Sequence, residues 1–505
     1  MSLAIIHSRA SAGIMAPPVT VEVHLSKGLP GFSIVGLPET AVKESRHRVR
    51  SAIINSELEF PVRRITVNLA PADLPKEGGR FDLAIALGIL AASEQIPLHQ
   101  LNQYEFAGEL ALSGELRPIK GALPFAIASK NINRRLIIAA DNAAEAAFIE
   151  GIQIYSAKHV LDVCAHLRDL KKLPRVISQH TATQCFYPDL QDVKGQMQGK
   201  RALEIAAAGG HSLLLMGPPG TGKTMLATRL PGILPPMTTD EAIEVAAVHS
   251  ISSSGFNNNR WRVRSFRSPH HSASSVAMVG GGSPPRPGEI SLAHHGVLFL
   301  DELPEFSRHV LESLREPMEA GAVTISRAAY QAHFPARFQF VAAMNPCPCG
   351  YHGDPNGRCR CTSEHVQRYQ ARLSGPLLDR IDMHVEIPPL PMSHLLNANT
   401  ENSESSEAVR HRVLRARDLQ TKRCGKANAE LLGDAVIKYC ALSQDERTLL
   451  EKAINQLGLS ARAYYRILKL ARTIADLDGR EKIEKIHLQE AIGYRRLDRT
   501  KRNHY

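Results

Sequence analysis

Along the chain, hydrophobic positions first alternate with polar ones and later run together. Val19, Val21 and Val23 alternate with polar residues, and Arg64-Ile-Thr-Val-Asn-Leu69 does the same before Pro71, so both segments predict half-buried strands. Residues 83–92 have the apolar density of a buried helix. Residues 1–170 therefore read as a mixed α+β domain, and the polar, proline-containing stretch 171–192 as a linker. From 193 to 392 the pattern changes. Continuous apolar runs at Leu213–Met216, Val297–Leu300 and 338–343 are separated by helical segments, which predicts an α/β unit whose parallel sheet is covered on both faces. Residues 393–408 are rich in Asn, Ser and Glu and read as a polar linker. Residues 409–505 read as helical, with Ser443-Gln-Asp-Glu446 as a capping box, Gly458 as a helix end and Ser460 as the next start.

Composition narrows the class. The chain has 505 residues, 43% hydrophobic and 22% charged, which predicts a soluble protein of several domains. The longest apolar stretch, 81–92, is too short to span a bilayer and contains Asp82. The opening MSLAIIHSRA lacks the layout of a secretory signal, so a cytoplasmic protein without membrane contact is expected. A net charge of +11 admits a polyanionic partner or simply a basic surface. Eight cysteines in such a chain point to metal binding or buried thiols rather than disulfides.

The chemistry concentrates in the middle third. Gly217-Pro218-Pro219-Gly220-Thr221-Gly222-Lys223-Thr224 follows an apolar strand and opens a helix, the order a phosphate-binding loop needs. The glycines let backbone N–H groups close round phosphates, Lys223 reaches the β/γ oxygens of ATP, and Thr224 ligates Mg²⁺. Gly296-Val-Leu-Phe-Leu-Asp-Glu302 is an apolar strand ending in two acids: Asp301 to hold Mg²⁺, and Glu302 to polarise the attacking water. A third strand ends at Asn345, which either bonds that water or the γ-phosphate, or merely makes a turn. Cys347, Cys349, Cys359 and Cys361 follow as C-x-C, nine residues, C-x-C. They form an insertion at 345–362 that reads as a structural Zn²⁺ site, as four reduced thiols in a loop, or as redox-sensitive pairs.

These residues resemble the AAA+ ATPases, and within them the magnesium-chelatase-like branch. Ser268-Pro-His-His271, Arg286-Pro-Gly-Glu-Ile-Ser-Leu-Ala-His294, the strand running on to Phe306, Leu314-Arg-Glu-Pro-Met-Glu319 and Leu377-Leu-Asp-Arg-Ile-Asp382 carry the likeness. It is greatest to the YifB/ComM family and extends over nearly the whole chain. The resemblance implies an AAA+ core with a helical lid at 409–505. It implies that Arg380 serves a neighbouring subunit's nucleotide, and that Arg462 couples lid position to the γ-phosphate. An arginine acting in trans implies a ring, and in this family a homo-hexamer. Local ion pairing with Asp379 or Asp382 is the alternative for Arg380, and an ordinary exposed arginine the alternative for Arg462.

Residues 70–82 and 107–119 resemble the Lon protease catalytic domain, with Arg80 and Leu123 where the serine and lysine would stand, which implies a non-proteolytic module. Lys76, Arg80 and Lys120 are then either phosphate contacts or solvated charges. Arg262, Arg264 and Arg267, interleaved with Trp261 and Phe266, suit DNA contact with base stacking, or else a structural insert. Residues 322–340 read as a hairpin that either carries Arg327 towards DNA or only couples subunits. The resemblance implies an ATP-dependent translocase on single-stranded and branched DNA, promoting branch migration in natural transformation and homologous recombination. A magnesium-chelatase-like or chaperone-like remodelling ATPase acting on a protein is the alternative.

Overall fold

The computed structural model describes residues 3–177, 186–283, 285–327, 330–354, 357–390 and 403–495. The first of two N-terminal sheets runs in the order Leu3–Arg9, Pro18–Ser26, Arg64–Ala70, Gly31–Val35. Its first two pairings are antiparallel and its last parallel. The alternation read at Val19, Val21 and Val23 puts all three inside, packed with the helix Asp82–Ala92, which is buried on every side. Gly88 lies where helix meets sheet: a Cβ there would stand 2.4 Å from Val23 Cγ2. A second sheet joins Tyr104–Ala107, Arg135–Ala139 and Ile154–Ala157 in parallel. Arg175–Val176, within the stretch expected as a linker, closes its edge against Ile154–Ala157.

The central sheet has five parallel strands in the order Phe266–Arg267, Val297–Leu300, Gln339–Met344, Leu213–Met216, Met383–Glu386. Alternate residues face opposite cores: Leu213, Leu215, Phe299 and Val341 enter one, Leu214, Leu298, Leu300 and Phe340 the other. Burial on both faces explains why these strands read as unbroken apolar runs. The first core is shared with the helices Met197–Gly209, Ser406–Cys424 and Ala461–Leu477. The capping box at Ser443 and Glu446, the left-handed Gly458 and the Ser460 cap all occur where the sequence signals them. Most of the polar stretch 393–408, up to residue 402, lies outside the described residues.

The helix Thr239–Ser250, opened by a Thr238/Glu241 capping box, buries Ala242, Val245 and Ala246 against Ala122, Leu123 and Phe125 of the N-terminal half. Trp261 lies in the same cluster, its ring 4.7 Å from that of Phe148. Isolated cysteines pack inside: burial pushes Cys164 up to about 11 and Cys440 up to about 12, and Cys185 is outside the described residues. No described helix is long and apolar enough to cross a membrane.

His249, on the Thr239–Ser250 helix, has its pKa lowered from 6.5 to about 4, first by burial and then by Arg267 and Arg260. The unfolded chain takes up a proton near 6.5 that the folded chain refuses until about 4, so this residue's contribution is full above pH 6.5 and is lost as pH falls towards 4. The expected loss is roughly 3 kcal/mol. Melting curves from pH 7 to 4.5 should show a falling midpoint, and His249→Gln should flatten that fall. An unchanged slope in the variant would contradict this assignment.

Candidate nucleotide-binding site

The loop 217–224 joins Leu213–Met216 to the helix Lys223–Ile233. Gly220 and Gly222 are left-handed, with φ of 76° and 86°, and a Cβ on Gly217 would lie 2.2 Å from the Ile387 carbonyl oxygen. The loop thus requires glycine at these places. Lys223 is buried, and its Nζ donates to Gly217 O at 2.7 Å, Pro218 O at 2.8 Å and Asn345 Oδ1 at 3.1 Å. Burial lowers the Lys223 pKa, opposed by Asp301 and Glu302. A phosphate entering the loop supplies the anion this ammonium lacks. Thr224 Oγ1 donates to Asp301 Oδ2 at 2.6 Å, so the two oxygens expected on Mg²⁺ already meet. Glu302 follows with φ of 52° and a half-exposed carboxylate 3.6 Å from His271 Nδ1. The structure therefore brings Lys223, Thr224, Asp301, Glu302 and Asn345 into one site at the carboxyl edge of the sheet.

Two supporting residues were not read from the sequence. His271 lies in the Ser-Pro-His-His segment noted above, but only the fold brings it to Glu302. Gln196 donates to Thr221 O at 3.1 Å and Pro388 O at 2.9 Å, bracing the loop, and no local pattern marks it.

Arg380 lies at the other edge of the sheet. Register pairs Leu213 with Met383 and Met216 with Glu386, so the phosphate loop leaves one end of these strands while Arg380 precedes the opposite end. Four residues of strand separate them by about 13 Å. Arg380 is buried, bonded to Pro376 O at 2.9 Å and paired with Glu319 at 2.8 Å, with no partner for its Nε among the described residues. Its partner is thus neither Asp379 nor Asp382: Arg466 holds Asp382, and Arg495 is 4.0 Å from Asp379. Glu312, Arg315, Glu316 and Glu319 line a cavity of about 510 Å³ in front of it. Arg462 is exposed on the first turn of Ala461–Leu477. Because Arg466 on the next turn binds Asp382, Arg462 lies within about 6 Å of helix rise from the Arg380 edge, not at the chain's own phosphate loop.

The four clustered cysteines converge. Cys347 Sγ lies 3.4 Å from Cys349 Sγ and 3.9 Å from Cys359 Sγ, Cys349 and Cys359 are 3.7 Å apart, and all four sulfurs lie within 4.8 Å of one another. Zn–S bonds of 2.3 Å in a tetrahedron set S···S near 3.8 Å, so the donor set fits Zn²⁺.

Comparison with known proteins agrees with this arrangement. Residues 189–395 match the family described as magnesium chelatase, subunit ChlI, residues 21–142 match subunit ChlI of Mg-chelatase, and 403–495 match the ChlI C-terminal family. The chain is 55% identical over 500 residues to the uncharacterized protein YifB of Salmonella typhimurium, covering 99% of this chain and 98% of that one. It is 54% identical over 504 residues to the competence protein ComM of Haemophilus influenzae, with the same coverage. The chain belongs to the YifB/ComM family of magnesium-chelatase-like AAA+ proteins. ATP and Mg²⁺ fit such a site. A remote likeness, 25% over 235 residues, covers 43% of this chain and 22% of the DNA replication licensing factor Mcm2 of Drosophila melanogaster.

Other charged groups in this family member are engaged internally. Arg264 bonds Pro235 O and His295 O, each at 2.6 Å, and Glu241 at 3.3 Å. Arg267 forms a two-pronged pair with Glu289. With Trp261 buried as well, Arg264 and Arg267 act as a brace, whereas Arg260 and Arg262 are exposed, Arg262 bonded to Thr239. The hairpin exists as Ala322–Arg327 paired with Tyr330–Pro335; the Arg327 side chain lies outside the described residues. Lys76 and Arg80 are buried rather than solvated, Arg80 bonding Lys120 O with its pKa lowered by burial to about 10, whereas Lys120 is exposed. Glu244, His294 and His295 also converge, each histidine Nε2 lying 3.0 Å from Glu244 Oε2, which holds that carboxyl at about 2. This is not a metal set. The Arg337 N–H donates to His294 Nδ1, which fixes the ring proton on Nε2, where a metal would have to bind.

Lys223→Ala should weaken nucleotide binding by about tenfold or more, since it removes charge-assisted bonds to phosphate. Glu302→Gln should bind nucleotide normally and lose about a hundredfold or more in phosphate release. Fluorescent-nucleotide titration and a phosphate-release assay check both. Equal loss of binding in the two variants would contradict the division of roles.

Proposed function

We propose that this protein is an ATP-driven DNA translocase. In this reading a homo-hexameric ring promotes branch migration as an incoming single strand recombines with the chromosome, in natural transformation and homologous recombination. The observation that carries it is the separation of Arg380 from its own phosphate loop across the sheet. A guanidinium so placed stabilises a transferring phosphoryl group only when a second copy presents its nucleotide. Arg462, on the same edge, would serve that neighbour's γ-phosphate too. The competence protein ComM and the licensing factor Mcm2 among its relatives support DNA as the cargo.

The remaining parts fit this reading. The N-terminal domain is a Lon-like scaffold without peptidase chemistry, because buried Arg80 and Leu123 occupy the positions of the serine and lysine. The C-terminal helices act as the lid, and the four cysteines hold a structural Zn²⁺. Arg327, at the end of its strand, and exposed Arg262 are the DNA contacts retained.

Arg380→Ala should leave ATP binding within about threefold of the parent while lowering turnover by about a thousandfold. Single-stranded or branched DNA should stimulate turnover of the parent, with an effect that falls steeply between 50 and 200 mM salt. A three-strand exchange assay with the parent and Lys223→Ala reads branch migration directly. If no DNA alters turnover or binds, the translocase reading fails and the protein-remodelling alternative takes its place.

A further inference from the structure

The cysteine site is attached to the nucleotide site at both ends. Asn345, which contacts Lys223, is separated from Cys347 by Pro346 alone. At the other end Cys361 is followed at once by Thr362, the cap of the helix Ser363–Gln370. That helix reaches back, Gln370 Nε2 donating to Pro346 O at 3.2 Å. Between them the loop leans on the phosphate loop itself. Gly350 has φ of 86°, and a Cβ built on it would stand 2.6 Å from Pro219 Cδ. No side chain fits between the two loops.

Besides the Arg358 guanidinium, 4.5 Å over the Tyr351 ring and paired with Asp354, little packing orders the described residues of this loop. Among its described residues from 347 to 361, Cys347 is the one buried hydrophobic group. Gly350, Gly353 and Gly357 all adopt left-handed φ, so the backbone is costly to order. A cross-link through four converging thiolates supplies what a core does not, and metal binding then becomes local folding energy.

We propose that Zn²⁺ bound by Cys347, Cys349, Cys359 and Cys361 is a strut for the nucleotide site, setting the position of Asn345 and backing the phosphate loop at Pro219, so that metal occupancy governs ATP turnover. The last clause rests on the ATPase reading; the strut itself does not. As the metal enters, each of the four sulfurs binds as a thiolate, so up to four protons pass to the solvent, one fewer for each thiol already ionised, and no redox change is involved. Loss of the metal releases the loop. Asn345 then loses its fixed distance to Lys223, and the Gly350 backbone no longer limits the movement of Pro219.

The test uses the full chain purified without chelator. Elemental analysis should find one zinc per chain, and thiol titration should find these four cysteines shielded. Hydrogen–deuterium exchange of the nucleotide-free protein is then compared before chelation, after it, and after zinc is returned. Stripping should raise exchange at 345–350 and 217–222 and leave Val297–Leu300 unchanged, and zinc should reverse the effect. Turnover should fall about tenfold or more on stripping. Cys359→Ser should reproduce the stripped state. Gly350→Ala should keep its zinc yet raise exchange at 217–222 alone, which separates the contact from the metal. Absence of zinc with freely titrating thiols overturns the site, and unchanged exchange at 217–222 after stripping overturns the strut. Because exchange is read without hydrolysis, a chain that showed the exchange changes but never hydrolysed ATP would fail the ATPase reading and leave the strut standing.

Discussion

The polarity of the parallel sheet is the constraint from which the rest follows. In a parallel sheet every strand presents its carboxyl end to the same edge, so the two edges differ chemically. Here one edge gathers the loop at 217–224, Asp301, Glu302 and Asn345. The other gathers Arg380, Asp382 and the Arg466 that binds it. About 13 Å of strand keeps the two sets apart. That separation is what the proposed two-chain site rests on: Arg380 stands at the edge opposite its own phosphate loop. At that edge the Arg380 guanidinium is paired with Glu319 at 2.8 Å.

The other parts of the molecule brace this sheet. The Thr239–Ser250 helix fixes the N-terminal half to the ATPase core through an apolar seam completed by Trp261 on Phe148. Arg264 ties the segment after that helix to His295, which Gly296 alone separates from the strand Val297–Leu300 that leads to Asp301 and Glu302. On the far side the cysteine loop reaches from Asn345 to Pro219. The phosphate loop is therefore backed by Gln196 and Gly350, and its lysine is held by Asn345.

What could be read from the sequence was whatever carries its reason locally. A strand buried on both faces must be apolar throughout, so Leu213–Met216 and Val297–Leu300 stood out. A loop that wraps phosphate needs glycine at fixed offsets, so 217–224 did too. Two strands of the central sheet escaped for the converse reason: Phe266–Arg267 is two residues long, and Met383–Glu386 carries His384, a buried imidazole whose pKa lies well below its usual value because water is excluded. Arginine destinations were the hardest to read. Arg264 and Arg267 look like nucleic-acid contacts until folding brings Glu241 and Glu289 beside them, 23 and 22 residues away. Arg380 likewise pairs with Glu319 across the fold rather than with its sequence neighbours. Composition supplies the charge; only the fold decides where it is spent.

A site divided between two copies makes a demand that single variants cannot meet. Lys223→Ala chains lack the phosphate loop's lysine but keep Arg380, and Arg380→Ala chains have the reverse defect. Each is expected to be nearly inactive alone. Mixed in equal amounts under assembling conditions, they should form interfaces in which one chain supplies the loop and the other the arginine. ATP turnover should then recover to about a quarter of the parent's, the fraction of interfaces so paired in a random ring. A mixture no more active than its two components would show that Arg380 does not complete a neighbour's site.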